Sequence, residues 1–449
     1  MRGALAQVLP FNLGDYDGFL AVGVLSLAWA VLCYWVFSRP VPRSAHSLLF
    51  VMAGTMLTIS LLRIGLDIVK TPRGVAPVVA QITLPAKETG NPRRPPDIFY
   101  IVPDRYPNAH VLRTYFDFDN GGFHEALLER GFYVARNAQA NYLKTSLSLA
   151  SSLNLQYING LSETYGQSTD DWQPVFDLLR HHQVQRLLRE RGYRYVHMGS
   201  WWPPTASNPH ADENFPGRTE RLSPFEDLLL RTTPLPAFMK RYRSFRGESP
   251  NRLECERESS KLEFLKQVGG EPQPVFVLAH FLVPHRPMKF DASGNCIDGP
   301  QPTTSEQWGP YRRAFVEQVK FMNSELLDVF DAQRAKNPYD FVFIIQADEG
   351  PFPLAYHLLG EKLDWEAADD NEVMMKFGII NALYFPDRTY DGLHPRSSPV
   401  NNFRHVFNHV FGARFPLLED RAYTSKDGHH IFRFTDVTAI VDGAPRRGP

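Results

Sequence analysis

Before about residue 96 the hydrophobic residues of this chain form long uncharged runs, and after it they form short apolar segments. Residues 19–38 contain no charged side chain, and a helix of that length crosses a hydrocarbon layer of roughly 30 Å. Residues 48–69 form a second candidate span, which is uncharged as far as Leu62. These patterns predict two transmembrane helices that form a hairpin over residues 19–69, after a tail of residues 1–18.

The loop between the two spans carries positive charge at Arg39 and Arg43. Because loops rich in Lys and Arg tend to stay in the cytoplasm, the hairpin favours an orientation with both of its ends outside the cytoplasm. Lys70 and Arg73 follow the second span and weaken this bias. Residues 70–96 are rich in proline and predict an extended stalk.

Beyond the stalk, short apolar segments alternate with amphipathic segments as far as residue 441. The apolar runs have the length of strands and the amphipathic segments have helical spacing, an alternation typical of one α/β domain. Buried strands are predicted over residues 97–103, 274–280, 340–347 and 379–385, and helices over residues 123–131, 184–192 and 311–333. Residues 97–441 therefore form the predicted globular domain, and residues 442–449 form a short tail.

Composition and charge exclude several classes of protein. The 449 residues include 48 Lys and Arg against 49 Asp and Glu, so the formal net charge of −1 provides no basic surface for nucleic acid. With 43% hydrophobic and 22% charged residues, the chain can bury a sizeable core and is not disordered. Three cysteines are too few for a disulfide-stapled scaffold, although Cys255 and Cys296 can pair outside the cytoplasm.

Three of the predicted strands end on polar residues that can bind a metal ion, namely Asp104, His280 and Asp348. A single Asp after a strand is most often a helix cap or a turn residue, so each of these positions alone is weak evidence. In open α/β sheets, however, ligands bind beyond the carboxyl ends of the strands. We therefore expect these three side chains to meet at one edge of the sheet.

The segment 141–154 contains six hydroxyl residues, and Thr145 stands at the predicted start of a helix. The hydroxyls can simply cap backbone donors in the first helical turn. The alternative is a phosphate site, because the free N–H groups and the dipole at a helix N-terminus favour an anionic group. In that case the hydroxyl of Thr145 could act as a nucleophile next to a metal ion.

A loop of two tryptophans and two prolines occupies residues 201–204. Such a loop can cover a bound substrate, and it can equally well form part of an ordinary core cluster. The sequence leaves both interpretations open.

Asp104, the stretch KTSLSLASSLN, the stretch HFLVPHRP and the stretch QADEGP occur in an order that resembles the alkaline phosphatase/sulfatase superfamily. The resemblance covers residues 97–440, and the most similar members are membrane-anchored sulfatase-like proteins of bacteria, followed by phosphoethanolamine and lipoteichoic-acid-type transferases. It implies an α/β/α sandwich with a largely parallel central sheet, preceded here by the two predicted membrane helices.

The resemblance also implies roles for individual residues. Asp104, Thr145, Asp348 and Glu349 would hold one divalent metal ion, and Thr145 would be the nucleophile. His285 matches a histidine near the transferred phosphoryl group, with a catalytic and substrate-binding role. The remaining substrate-binding candidates are His280, which is the less certain neighbour of that histidine, and Arg105.

Two residues depart from the family pattern. Glu349 stands where similar proteins carry His, and a carboxylate in place of imidazole shifts the expected metal from Zn²⁺ towards Mn²⁺, Mg²⁺ or Ca²⁺, or marks an inactive site. Arg105 places a cation where a small residue is common, so it either binds substrate or occupies the position of the metal. The stretch TSLSL also lacks the Pro and Arg of the formylglycine motif of sulfatases, which argues against that chemistry.

The sequence thus favours a membrane-anchored, metal-dependent phosphotransferase, or a phosphoester or sulfoester hydrolase, with a Thr nucleophile. We expect its substrates to be membrane lipid head groups or cell-envelope glycans. We expect the protein in the inner membrane of a bacterium, with the catalytic domain on the periplasmic side. Hydrolysis of sulfate esters by an unmodified Thr is the least favoured chemistry. The alternative is a catalytically silent module that binds or assembles envelope polysaccharide.

Overall fold

The structure is a computed structural model that describes residues 79–85, 94–215, 250–299 and 302–443, with isolated helical positions between 51 and 58. The chain divides into two compact units. One comprises Met1–Ala76 and Leu222–Tyr242, and the other comprises Pro77–Arg221 and Arg243–Pro449.

The first of the two predicted membrane spans, residues 19–38, lies outside the described residues, as does the predicted tail of residues 1–18. The second span, residues 48–69, is described only at isolated positions. Within the described ranges, no helix has both the length and the apolar character needed to cross a membrane. The fold described below is that of the second unit.

A seven-stranded sheet is the centre of this unit. Its strands, in chain order, are β1 Asp97–Pro103, β2 Tyr133–Val134, β3 Arg194–Met198, β4 Glu213–Phe215, β5 Val275–Phe281, β6 Phe341–Gln346 and β7 Asn381–Tyr384. The spatial order is β2-β7-β6-β1-β5-β3-β4. Strands β6, β1, β5, β3 and β4 are mutually parallel, and β7 runs antiparallel to both of its neighbours.

Helices connect these strands. They are α1 Ala109–Phe116, α2 Gly121–Glu129, α3 Thr145–Asn154, α4 Gly160–Tyr165, α5 Gln173–Arg180, α6 Gln183–Glu190, α7 Pro203–Ala206, α8 Pro250–Gln267, α9 Trp308–Lys336, α10 Leu354–Leu359, α11 Asp370–Phe377, α12 Pro399–Phe411 and α13 Thr438–Val441. Short 3₁₀ turns occupy Ser305–Gln307 and Gly360–Lys362, and a separate hairpin pairs β8 Tyr423–Ser425 with β9 Phe434–Asp436.

The sheet is buried on both faces, which explains why its central strands are continuously apolar. In β1, Phe99 and Ile101 belong to one core cluster, while Ile98, Tyr100 and Val102 belong to the other. Helix α9 contributes to the first cluster, and helices α3, α6 and α12 contribute to the second. The predicted α/β/α arrangement with a mostly parallel sheet is confirmed.

Part of the predicted stalk packs against the domain. The backbone N–H of Ala80 donates to the side chain of Gln156 at 3.1 Å, and the Gln156 amide donates back to the Ala80 carbonyl at 2.9 Å. Val79 is buried. Residues 79–85 therefore run along the surface near the end of α3.

A disulfide joins Cys255 in α8 to Cys296, with 5.7 Å between the two Cα atoms. It links α8 to the segment that follows β5, and this segment contains the stretch LVPHRP beyond the end of the strand.

Candidate active site

The parallel pairing of β6, β1 and β5 brings three polar side chains together at the carboxyl ends of these strands. Asp104 follows β1, His280 lies near the end of β5, and Asp348 follows β6 by two residues. One potential ligand atom from each lies within 4.8 Å of the other two, and all three residues are buried. His280 Nε2 lies 3.4 Å from Asp104 Oδ2.

Each of these residues has a buried polar atom without a hydrogen-bond partner among the described residues, namely Asp104 Oδ1, His280 Nε2 and Asp348 Oδ2. Burying such atoms unpaired is costly, so their convergence points to a missing partner. Burial raises the pKa values of both carboxyl groups. Asp104 and Glu349 raise the pKa of Asp348 further, and Glu349 also raises that of Asp104, against the opposing effect of Arg105. One imidazole and two carboxylates suit a divalent cation such as Zn²⁺ or Mn²⁺.

The ring of His280 is oriented from behind by Thr205. Its Nδ1 lies 2.8 Å from Thr205 Oγ1, so in the tautomer that carries the proton on Nδ1, Nε2 keeps a lone pair facing Asp104. Burial lowers the pKa of His280 to about 4, which keeps the ring neutral. A neutral imidazole whose other nitrogen is hydrogen-bonded is the usual form of a metal-binding histidine.

Glu349, the residue that departs from the family pattern, is paired with two cations. Its Oε1 lies 2.9 Å from Lys376 Nζ and 3.0 Å from Arg105 Nε, and all three residues are buried or nearly so. Burial acts to raise the pKa of Glu349, but Lys376 and Arg105 outweigh it and hold the pKa below its usual range. Glu349 lies beside the Asp104–His280–Asp348 group without being part of it.

Lys376 reaches this site because the chain after Glu349 passes very close to α11. A Cβ on Gly350 would lie 2.5 Å from the carbonyl oxygen of Met375, so only glycine fits there. The Gly350 N–H donates to the Lys376 carbonyl at 2.7 Å, and Lys376 Nζ donates to the Gly350 carbonyl at 3.0 Å.

Arg105 has an unusual backbone conformation, with φ at 64°. In this conformation its N–H donates to Asp348 Oδ1 at 3.1 Å. Its guanidinium lies 4.2 Å from the centre of the Phe352 ring, which Lys376 Nζ also approaches to 3.5 Å. A non-glycine residue at positive φ persists only where its surroundings enforce it, and such strain clusters at functional sites.

Thr145 is the first residue of α3, as predicted, and it faces the same region. Its side chain lies near Asp348 and offsets part of the burial effect on the pKa of that carboxyl. The preceding residue, Lys144, provides no side-chain cap, and its Nζ pairs with Glu361 at 2.9 Å. The N–H groups of the first helical turn therefore have no side-chain cap at the N-cap position.

These groups surround a cavity of about 390 Å³. Its charged and polar lining is Asp104, Arg105, Lys144, Thr145, Ser146, His285, Glu349 and Glu361, and its aromatic lining is Trp172, Phe176, Trp201, Trp202, Phe352 and Tyr356.

His285 Nδ1 contacts the carbonyl of Arg286, and burial, with a contribution from Arg105, holds the pKa of His285 well below its usual range. The described structure thus brings all seven predicted site residues to one place.

Sequence reasoning missed several members of this site. Lys376 and Lys144 were not predicted. His280 was predicted to meet Asp104 and Asp348 at the strand ends, but the ligand set implied by the resemblance left it out and gave it a substrate-binding role. A signal for Lys376 was present, because a lone lysine stands in the apolar run VMMKFG directly before a strand. Since that lysine would have to be buried, it needed an acidic partner.

Replacement of Lys376 tests whether the pair with Glu349 holds the site together. We expect Lys376→Met to lower the free energy of unfolding by about 3 kcal/mol, because it leaves a buried carboxylate with one cation fewer. The matched control is Lys320→Met, which removes an exposed pair with Glu317 and should cost about 0.5 kcal/mol. Urea denaturation measures both, and equal losses would contradict a buried structural pair.

Neither a protein-family model nor a curated protein matches this sequence. Solved structures do match in fold. The C-terminal periplasmic domain of EcEptC from Escherichia coli, in complex with Zn, matches with a TM-score of 0.52 and 12% identity, over 82% of this chain and 98% of that chain.

Two further structures match less closely. The integral membrane protein lipooligosaccharide phosphoethanolamine transferase A from Neisseria meningitidis has a TM-score of 0.44 and 11% identity, over 87% of this chain and 67% of that one. BT1596, a 2-O GAG sulfatase, has a TM-score of 0.43 and 14% identity, over 79% of this chain and 76% of that one. The match to the EcEptC domain shows that this chain, with its mostly parallel sheet between two helical layers, shares the fold of that domain.

Proposed function

We propose that this protein is a metal-dependent enzyme that transfers or hydrolyses phosphate esters through Thr145, with sulfate esters as the less favoured substrates. One observation carries the proposal. The buried, unpartnered ligand atoms of Asp104, His280 and Asp348 converge beside the hydroxyl of Thr145, which begins a helix. The shared fold of a domain that was crystallised with Zn supports a divalent ion here.

The metal would be held by Asp104, His280 and Asp348, and when bound it would supply the Lewis acidity that lowers the pKa of a neighbouring hydroxyl. The side chain of Thr145 lies near Asp348, one of these three residues. The N–H groups of the first turn of α3 are positioned for the charge on the ester oxygens.

In the first step, Thr145 Oγ1 bonds to phosphorus as the bond to the leaving alkoxide breaks. The hydroxyl proton of Thr145 passes to solvent, and the leaving oxygen takes a proton in return. In the second step, water or an acceptor hydroxyl displaces Thr145 and regenerates its hydroxyl. His285 is held neutral by burial, and with Nδ1 directed at a carbonyl its Nε2 can accept a hydrogen bond from the incoming hydroxyl.

The charge of the site suits an anionic substrate. Four carboxylates and three cations surround the cavity, and they are Asp104, Asp348, Glu349, Glu361, Arg105, Lys144 and Lys376. A divalent ion at the Asp104–His280–Asp348 group would leave positive charge in excess, which suits an anionic phosphate ester.

We further propose that the domain works outside the cytoplasm, on a lipid head group or a glycan of the cell envelope. The Cys255–Cys296 disulfide supports an oxidising compartment, because such bonds rarely persist in the cytosol. The apolar segments 19–38 and 48–69 support anchoring in the inner membrane.

A panel of chromogenic esters tests the proposed chemistry. The full chain, in detergent, is incubated with aryl phosphodiester, phosphomonoester and sulfate substrates, each after chelation and after addition of Mn²⁺ or Zn²⁺. We expect the phosphate esters to be cleaved faster than the sulfate ester, with activity lost on chelation and restored by metal. A reaction that survives complete chelation would contradict the metal requirement.

A catalytically silent binding module is the second candidate. It is favoured because Glu349, which the resemblance implies as a metal ligand, is paired instead with Lys376 and Arg105. Such a module has no need for a metal ion. Tight uptake of a divalent ion at the Asp104–His280–Asp348 group would decide against it, and its absence would decide against the enzyme.

A further inference from the structure

Two fully buried lysines contact the segment that carries His280, and the proposed mechanism does not use them. Lys261 lies in α8, and Lys289 follows β5. An ammonium group taken out of water destabilises the fold unless its protons are bonded. The acceptors of these two groups therefore show which parts of the chain the lysines hold in place.

The ammonium group of Lys261 has three donors, and three acceptors surround it. It pairs with Glu258 Oε2, three residues earlier in α8, at 2.8 Å. It also donates to the carbonyl of His280 at 2.5 Å and to the carbonyl of Gly199 at 3.3 Å. Two of its three bonds thus go to the main chain, one at the proposed metal ligand and one in the loop that follows β3.

The carbonyl of His280 lies at the point where β3 separates from β5. Successive carbonyls along a strand point to opposite neighbours, and the carbonyl of Phe281 accepts from the N–H of Asp104 on the β1 side. The carbonyl of His280 therefore faces the β3 side, where the pairing of the two strands ends at Met198. Beyond that residue, β3 no longer provides a donor for it.

The two lysines take the place of the missing strand. Lys261 bonds to the open carbonyl of His280, and Lys289 donates to the next carbonyl but one, that of Leu282, at 2.9 Å. A buried carbonyl without a partner is costly, so these bonds favour one path of the main chain as it leaves the sheet. The backbone that carries the His280 ring is thus held by ammonium groups on the side away from β1.

The ring of His280 is held by the loop that leads from β3 into α7. Its Nδ1 lies 2.8 Å from Thr205 Oγ1, which in turn lies 3.0 Å from Ser200 Oγ. The carbonyl of Thr205 accepts from His197 Nε2 at 2.9 Å. Because Thr205 is buried and bonded through both its side chain and its main chain, its hydroxyl has one fixed position from which to accept the Nδ1 proton.

This loop reaches His280 because it folds back tightly at Gly199. A Cβ on Gly199 would lie 2.3 Å from the carbonyl oxygen of Ala206 and 2.4 Å from that of Thr205, so no side chain fits there. The same glycine offers its carbonyl to Lys261. Lys261 therefore joins the main chain of β5 to the loop that carries Thr205.

We infer that Thr205 and Lys261 are positioning residues that hold His280 as the nitrogen ligand of the metal site. This inference rests on the proposed function, because it requires an ion at the proposed metal group. Thr205 sets the tautomer and the direction of the ring, and Lys261 fixes the main chain from which the ring projects. Glu349, which follows the last carboxylate of the group, is paired with two cations, so β5 supplies the imidazole of this site.

Metal binding by the full chain in detergent tests this positioning. We expect Thr205→Val to weaken the binding of Zn²⁺ about tenfold, measured by competition with a chelating dye, because it removes the acceptor for the His280 Nδ1 proton. The double variant Glu258→Gln/Lys261→Met removes both charges of the buried pair and should also weaken binding about tenfold. Glu258→Gln alone keeps the bonds from Lys261 to the two carbonyls and should leave the affinity nearly unchanged.

The absorption of bound Co²⁺ separates positioning from a loss of stability. The visible spectrum of Co²⁺ depends on the geometry of its ligands, so a displaced His280 changes the spectrum even in a folded protein. We expect a changed spectrum in Thr205→Val and in the double variant. The control is Thr424→Val, which removes a buried hydroxyl that bonds to a carbonyl in β8 and should keep the original spectrum. Thermal unfolding shows whether each variant is folded.

Two results would overturn the inference while leaving the proposed function intact. One is an unchanged affinity and spectrum in Thr205→Val, a result that counts even if the double variant does not fold. The other is a loss of affinity in Glu258→Gln as large as in the double variant, because Lys261 would then act only by stabilising α8. If the original chain binds neither Zn²⁺ nor Co²⁺, the proposed function is contradicted, and the inference with it.

Discussion

Thr145→Ala should lower kcat on the best ester substrate by about a thousandfold or more, because it removes the atom that forms the covalent bond. Thr145→Ser keeps a hydroxyl at the start of α3 and should retain activity within about tenfold of the original protein. Steady-state kinetics on the full chain measures both.

The geometry gives the reason for so large an effect. Thr145 begins α3, and its side chain lies near Asp348, one of the three proposed metal ligands. Thr164→Ala is the matched control, since it removes an exposed threonine hydroxyl that bonds only to a carbonyl within α4. If Thr145→Ala keeps the activity of this control, a water molecule rather than Thr145 attacks the ester.

The second large effect concerns the metal ligands. His280→Ala and Asp348→Asn should each weaken the binding of Zn²⁺ or Mn²⁺ more than about a hundredfold, because each removes one of three converging ligands. Glu349→Gln should weaken it less than about tenfold, because Glu349 is paired with Lys376 and Arg105. Competition against a chelating dye measures the affinities without any need for a substrate.

The resemblance to the superfamily implies a different result, with Glu349 as a ligand and His280 near the substrate. If Glu349→Gln abolishes metal binding in a protein that remains folded while His280→Ala does not, that implied ligand set is right. His409→Ala is the matched histidine control, since this partly exposed residue pairs with Asp387 away from the site. Thermal unfolding of each variant separates loss of a ligand from loss of the fold.

Much of the fold followed from the apolar pattern. The predicted strands at 97–103 and 340–347 match β1 and β6 closely, because strands buried on both faces need unbroken apolar runs. The convergence of Asp104, His280 and Asp348 followed from the same reasoning, since parallel strands end at one edge. The start of α3 at Thr145 was also predicted correctly.

The sequence pattern did not predict the ion-pair partners of Glu349. Its partner Lys376 comes from α11 and reaches the site only because Gly350 lets two backbone segments meet. Such an ion pair depends on tertiary approach, and no local periodicity encodes it. Likewise, the sequence left open whether Trp201 and Trp202 belong to a core or to a substrate site, and the structure places both on the cavity wall.

Mass spectrometry of Thr145 during turnover tests the central claim most directly. The full chain, loaded with metal, is mixed with excess substrate, quenched in acid within one turnover and digested. The account predicts a phosphorylated, or for sulfate esters sulfated, peptide that contains Thr145, and it predicts none in the Thr145→Ala protein. Turnover that proceeds while Thr145 stays unmodified at every quench time would contradict the account.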